Sequence, residues 1–176
     1  MSSTDKAEQV RLGFLAAIET RDRAFVGGLL VTDRFGRPLE FQCTTPVKPN
    51  RTQELLYGPT LVPFILGELL GKTLLDRLQV KPHLLFVGRV ETLQVRSVAT
   101  IPVLWALERT SKEATDKPSV DIGLNRCVFA DDFESDRDVI KKHAAVFAND
   151  ANLREPLERV SEALKETMAS AGARVA

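Results

Sequence analysis

Residues 38–45 read Pro38-Leu39-Glu40-Phe41-Gln42-Cys43-Thr44-Thr45, and their alternation decides what kind of chain this is. Leu39, Phe41 and Cys43 fall on one face of an extended backbone, with Glu40, Gln42 and Thr44 on the other. A period of two belongs to a β-strand with one face in a core. Two short apolar runs lie upstream, Leu12 to Ile18 (LGFLAAI) and Ala24 to Val31 (AFVGGLLV). Polar clusters separate them: Thr20 to Arg23, then Asp33-Arg34-Phe35-Gly36, which has a turn-former first and a glycine able to take positive φ. The three runs predict an antiparallel meander. Gly27-Gly28 inside the second predicts a bulge or a close approach by a neighbour.

Downstream the pattern changes. Pro46 to Arg51 (PVKPNR) is extended, because residues before proline avoid the α region. Thr52 can cap a short helix, Gln53 to Tyr57, which Gly58-Pro59 interrupts. Thr60 can cap a longer one with Pro63 in its first turn. Leu61, Phe64, Ile65, Leu69 and Leu75 mark its apolar stripe, and Leu66, Leu70 and Leu74 widen it enough to predict a central, deeply buried helix. Gly67 and Gly71 form a flat strip where another backbone can come close. His83 to Val87 and Thr100 to Leu107 read as strands, 90–98 is ambiguous between turn and strand, and 108–120 is a loop. Ser135 with Asp138 resembles a capping box opening a helix to about Ala148, and Asn152 with Glu155 repeats the signal. Leu153, Leu157, Val160, Leu164 and Met168 then follow at helical spacing. The first nine residues read as frayed or as a short helical turn, and the tail 169–176 as unstructured.

The expected fold class is therefore α+β: an antiparallel-leaning mixed sheet of a three-strand meander, a long central helix and two further strands, with C-terminal helices. The 176 residues suit a single domain, with 134–172 either packed on it or serving as an interaction appendage. The composition, 44% hydrophobic and 27% charged, is that of a globular chain. Equal numbers of basic and acidic residues, 24 each, argue against a dedicated binder of nucleic acid or anionic membranes, although a local basic patch stays open. Two distant cysteines, Cys43 and Cys127, fit neither a disulfide framework nor a zinc site and suggest reduced thiols in the cytoplasm. The start of the chain has no apolar signal, and the run Leu55 to Leu70 is broken by Gly58, Pro59, Pro63, Gly67 and Glu68, so a soluble, non-membrane protein is expected.

The stretch 33–57 is the candidate site. Glu40 and Gln42 share a strand face; Gln53 and Tyr57 share a helix face. Between 34 and 51 four cations, Arg34, Arg37, Lys48 and Arg51, outnumber one acid, Glu40. Such a surface suits a protein partner, a second copy of the chain, or the phosphates of a nucleic acid. The order of an acid at a hairpin, an E-x-Q pair on the next strand and a Q-x-x-x-Y on the next helix resembles RecB-type nucleases of the PD-(D/E)xK superfamily. That resemblance implies Mg²⁺ held by Asp33 and Glu40, with catalytic roles for Glu40, Gln42 and Lys48, where Gln42 stands in the position of the family's lysine. The phrase GLLVTDRFGRPLE also resembles the hairpin of profilin-like and roadblock/longin domains, which implies assembly without chemistry. Read from the residues alone, Asp33 is a turn residue and Glu40 and Gln42 a solvated strand face. No full catalytic set can be assembled, so the primary expectation is a non-catalytic interaction module or complex subunit without cofactor, and the Mg²⁺-dependent nuclease is the alternative. His83 and His143 read as structural, and Trp105 as core.

Overall fold

The fold comes from a computed structural model that describes residues 9–130 and 132–175. The frayed start expected for 1–9 falls, apart from Gln9, outside the described residues. Seven strands form one mixed sheet: β1 (Arg11–Glu19), β2 (Phe25–Asp33), β3 (Pro38–Cys43), β4 (Leu84–Val87), β5 (Val103–Glu108), β6 (Ser119–Ile122) and β7 (Asn125–Phe129). Their order is β3-β2-β1-β4-β5-β7-β6. The β1–β4 and β4–β5 pairs are parallel, and the other four are antiparallel. This is the α+β class with an antiparallel-leaning sheet.

The meander forms as the three runs predict. Asp33 builds its second turn: one carboxylate oxygen, Oδ1, accepts from the backbone N–H groups of Phe35 (2.8 Å) and Arg37 (3.0 Å). Gly36 supplies the left-handed residue at φ 83°. The Gly27-Gly28 pair is a close approach, not a bulge. A side chain at Gly27 would meet Leu70 and Leu74, and one at Gly28 would meet Val160 at 2.9 Å, so helices press on β2 from both faces. The bulge lies further along, between Val31 and Thr32.

The helices are α1 (Arg51–Tyr57) and, after a 3₁₀ turn at Gly58–Thr60, α2 (residues 61–77). A 3₁₀ helix follows at Val90–Ser97, then α3 (Glu134–Ala144) and α4 (Arg154–Val175). Asn50, not Thr52, caps α1, in a reciprocal pair in which Asn50 accepts from the Gln53 N–H and Gln53 accepts from the Asn50 N–H. The middle of α2, Phe64–Gly71, is π-helical. This explains why its buried set is Ile65, Leu66, Leu70 and Leu74 while Leu69 is exposed. The i→i+5 bonding of the wider π turn sets residues five apart, Ile65 with Leu70 and Leu66 with Gly71, on the buried side. Gly67 and Gly71 do make the flat strip, and Gln94 and Val95 of the 3₁₀ helix lie against it.

Two layers of helix cover the sheet. On one face Phe14, Leu30, Phe86, Leu104 and Cys127 pack under Ile140 of α3 and Leu157, Val160 and Leu164 of α4. On the other Leu15, Leu29, Val31, Leu85 and Trp105 pack under Leu74, Leu78 and Val95. Strand β4 is buried on both faces, as its unbroken Leu-Leu-Phe-Val predicts. A buried ion pair joins the layers at the sheet end: Arg96 Nε and Nη2 contact the two Asp136 oxygens at 2.8 and 3.0 Å, and Nη1 donates to the Ala99 carbonyl at 2.7 Å.

In the second half of the chain the structure departs from the sequence expectation in three further places. The loop read for 108–120 runs into an unpredicted hairpin, β6–β7, which turns at Gly123 (φ 55°). Helix α3 starts at Glu134 without a side-chain cap. Helix α4 continues to Val175 through the tail read as unstructured, since Ala169, Ala171 and Ala173 are the best of helix formers.

Candidate functional site

The sheet ends at β3, and this edge displays the stretch 33–57. Helix α4 packs over β1 and β2, one strand short of the edge. Leu39 and Phe41, expected in the core, are consequently 47% and 39% exposed. Their strand neighbours Glu40 and Gln42 point to the opposite face and are the better covered. Glu40 is held there by its own chain. Its oxygens accept from Gln42 Nε2 (2.9 Å) and from the backbone N–H groups of Gln79 (3.0 Å) and Val80 (2.7 Å). The Gln42 amide, then the Val80 and Gln79 N–H groups, hold the Glu40 carboxyl below its ordinary range. The carboxylate thereby fastens the edge strand to the segment that leaves α2.

The remaining residues of the set sit in separate places. Arg34 lies over the Phe35 ring at 4.5 Å with its Nε buried and without a hydrogen bond. Arg37 is exposed beside it. Lys48 faces Asp22 at 3.8 Å, and Arg51 faces Glu54 at 3.4 Å. Val47 bridges to Phe25 at the start of β2, so Lys48 lies at the opposite end of that strand from Arg34 and Arg37, roughly 27 Å away at the rise of an antiparallel strand. Gln53 is occupied in its cap, and Tyr57 stacks on Phe64 with ring centroids 4.8 Å apart. The structure therefore gathers Glu40 and Gln42, and it spreads the cations along the edge.

Asp33 and Glu40 are both engaged within the chain: the Oδ1 of Asp33 by its turn and both Glu40 oxygens by backbone N–H groups. Among the described residues no group of three or more His, Cys, Asp or Glu stands close enough to hold a metal.

Sequence reasoning missed a second feature. At the carboxyl ends of the parallel strands, where open α/β sheets build sites, lies a cleft of about 290 Å³ floored by Ala16, Ala17, Gly88 and Ala106. A second hollow of about 680 Å³ continues from it and shares Gly88, Arg89, Ala106 and Arg154. Three ion pairs stand around the cleft and hollow: Arg89 with Glu91 (3.3 Å), Arg154 with Glu108 (2.6 Å) and Lys165 with Glu162 (2.9 Å). Neither histidine nor cysteine lines it, so it offers charge pairs and hydroxyls but no strong nucleophile. The one signal in the sequence was Gly88-Arg89 directly after a buried strand.

No protein-family model matches this chain, and no curated protein matches it. Its fold is similar to that of Ciona intestinalis endonuclease V, solved with a 23mer DNA containing an inosine followed by a ribo-adenosine: 10% identity over 91% of this chain and 86% of the other, TM-score 0.46. A second complex of that endonuclease, with a 24mer DNA, aligns at 10% identity over 90% of this chain and 87% of the other, TM-score 0.42. Marinitoga piezophila Argonaute with a 5′ OH guide RNA aligns at 11% identity over 88% of this chain and 29% of the other, TM-score 0.38. Among the described residues no helix is long and apolar enough to cross a membrane.

Proposed function

We propose that the chain works as one domain, a non-catalytic interaction module or subunit of a larger assembly in the cytoplasm, which docks a partner on the basic surface over residues 34–57. One observation carries this reading. The carboxylate and amide side chains of that stretch, Glu40, Gln42 and Gln53, are spent on partners within the chain, while Arg37, Lys48 and Arg51 stay outward. Glu40 is occupied by Gln42, Gln79 and Val80, and Gln53 by Asn50. Arg37, Lys48 and Arg51 are exposed, the last two in solvated ion pairs. Pairs of that kind are worth about 0–1 kcal/mol and exchange partners readily. The free thiols Cys43 and Cys127 suit a reducing compartment.

The test compares wild type, Glu40→Ala and the triple variant R37E/K48E/R51E. Anisotropy of a labelled acidic peptide and a labelled oligonucleotide reports binding; calorimetry with Mn²⁺ and a plasmid-nicking assay report chemistry. Expected are binding that weakens at least about tenfold in the triple variant and no metal-dependent nicking in any protein. Nicking that Glu40→Ala abolishes would replace this reading with the nuclease. Equal binding by wild type and triple variant would remove the surface.

A further inference from the structure

We propose that the partner is an extended peptide of alternating acidic and apolar residues, which adds to the sheet as a new strand beside β3; this deepens the interaction reading above and rests on it. The ladder supports it first. Thr44 donates to the Gly27 carbonyl at 2.9 Å, so it turns its backbone toward β2. By the two-residue alternation of an antiparallel pair Gln42 does the same, while Phe41 and Cys43 turn their N–H and C=O groups outward. No strand covers them, because β3 is the last in the sheet. Among the described residues Arg77 approaches them, with Nη1 at 3.5 Å from the Cys43 carbonyl.

The side-chain layer supports it next. Leu39 and Phe41 are exposed beside α4, because that helix reaches only as far as β2. Apolar side chains on alternate positions of an added strand would fall into that gap in the layer. The residues between them would face the other side, where Arg77 and Lys81 are exposed. At the two ends of the strand stand Arg37 and Lys48. Acidic residues on that face and at the ends complement all four cations, and Glu40, the one acid within β3, is tied down by backbone N–H groups.

Charge also selects against a second copy as the occupant. Two-fold pairing of β3 with itself about Phe41 would bring the Arg37 end of one copy beside the Lys48 end of the other, cation towards cation. A nucleic acid would meet the cations but leave the outward backbone groups and the Leu39–Phe41 surface without partners.

The test uses a labelled octapeptide alternating aspartate with valine, against three controls: lysine in place of aspartate, the aspartate peptide with alternate backbone nitrogens methylated, and a 12-nucleotide oligothymidylate. Binding is read by anisotropy up to about 1 mM, the weak end of useful affinity, and backbone burial by amide hydrogen exchange. The aspartate peptide is expected to bind at least tenfold tighter than each control. It is expected to slow exchange at Phe41 and Cys43 at least tenfold, and to lose at least tenfold in affinity for R37E/K48E. If it binds in a charge-dependent way but leaves those two amides unprotected, strand addition is overturned and the basic surface stands. If oligothymidylate binds more tightly than the peptide, the partner is a nucleic acid and the peptide proposal falls. If no probe binds, the proposal and the surface fall together.

Discussion

Asp136→Asn tests how the two helical layers are held together. The Arg96–Asp136 pair is nearly sealed, with side chains 12% and 5% exposed. The guanidinium makes two bonds to the carboxylate and one to the Ala99 carbonyl, and the Phe133 ring lies 3.6 Å from Cζ. Asparagine keeps the shape but removes the charge and turns one acceptor into a donor that faces another donor. The loss is one charge-assisted bond, about 1.5–3 kcal/mol, plus the cost of a buried guanidinium without its counter-charge. Breaking such a pair from one side costs about 3–5 kcal/mol in total. For a chain of this size that lowers Tm by roughly 6–20 °C, at about 2–4 °C per kcal/mol. Urea unfolding monitored by circular dichroism gives the free energy, and a thermal scan gives the Tm. The double variant R96M/D136L should recover most of the loss, because two apolar side chains of similar size leave no charge unpaired. A cost below about 1 kcal/mol for Asp136→Asn, well under the range for a buried pair, would refute the reasoning.

Further predictions concern the core and its titrating groups. Gly71→Ala should lose about 1–3 kcal/mol by overpacking, since the new methyl meets Val95 inside ordinary contact distance; the urea midpoint checks it. His83 and His143 lie with ring centroids 5.0 Å apart and their planes tilted by 35°, and His83 Nδ1 accepts from the Arg11 N–H. Burial, then the Arg11 charge, lowers the His83 pKa; burial, then His83, lowers that of His143. A histidine depressed in the fold takes up its proton more readily when unfolded, so stability is full above about 6.5 and falls as pH drops through the unfolded value. Urea midpoints at pH 8 and pH 5 should show that fall, and His83→Asn should flatten it. Burial pushes the Cys127 thiol up to about 12, so a thiol reagent applied to native protein near neutral pH should label Cys43 alone. Rapid labelling of Cys127 would contradict its place in the core.

What the sequence revealed depended on how local the deciding interaction was. The meander was legible because its turns are built by adjacent residues, Asp33 bonding Phe35 and Arg37. The glycine strip on α2 was legible because spacing alone creates it. The β6–β7 hairpin was not: Ser119–Ile122 and Asn125–Phe129 are four and five residues long and carry Asp121, Asn125 and Arg126 among their apolar positions. Alternation in β3 was read correctly, yet the face expected inside lies open, because the reach of α4 is settled by packing across the sheet. Glu40 was singled out for a free carboxylate, and its partners Gln79 and Val80 stand 39 and 40 residues away. No local pattern records such a contact, nor the meeting of Arg89 with Arg154 at the cleft.

The position of β1 has a consequence for the growing chain. It pairs with β2, its immediate successor, on one side, and on the other with β4, which begins at Leu84. During synthesis the hairpins can close as soon as Cys43 has left the ribosome, but the opposite flank of β1 then stays open for about forty residues more. At ~5–20 residues per second this window lasts a few seconds. For that time Leu12, Phe14 and Leu15 present an unpaired apolar border of the kind that recruits other nascent chains, so the yield of folded protein should depend on translation rate and on chaperone supply more than on the stability of the finished sheet.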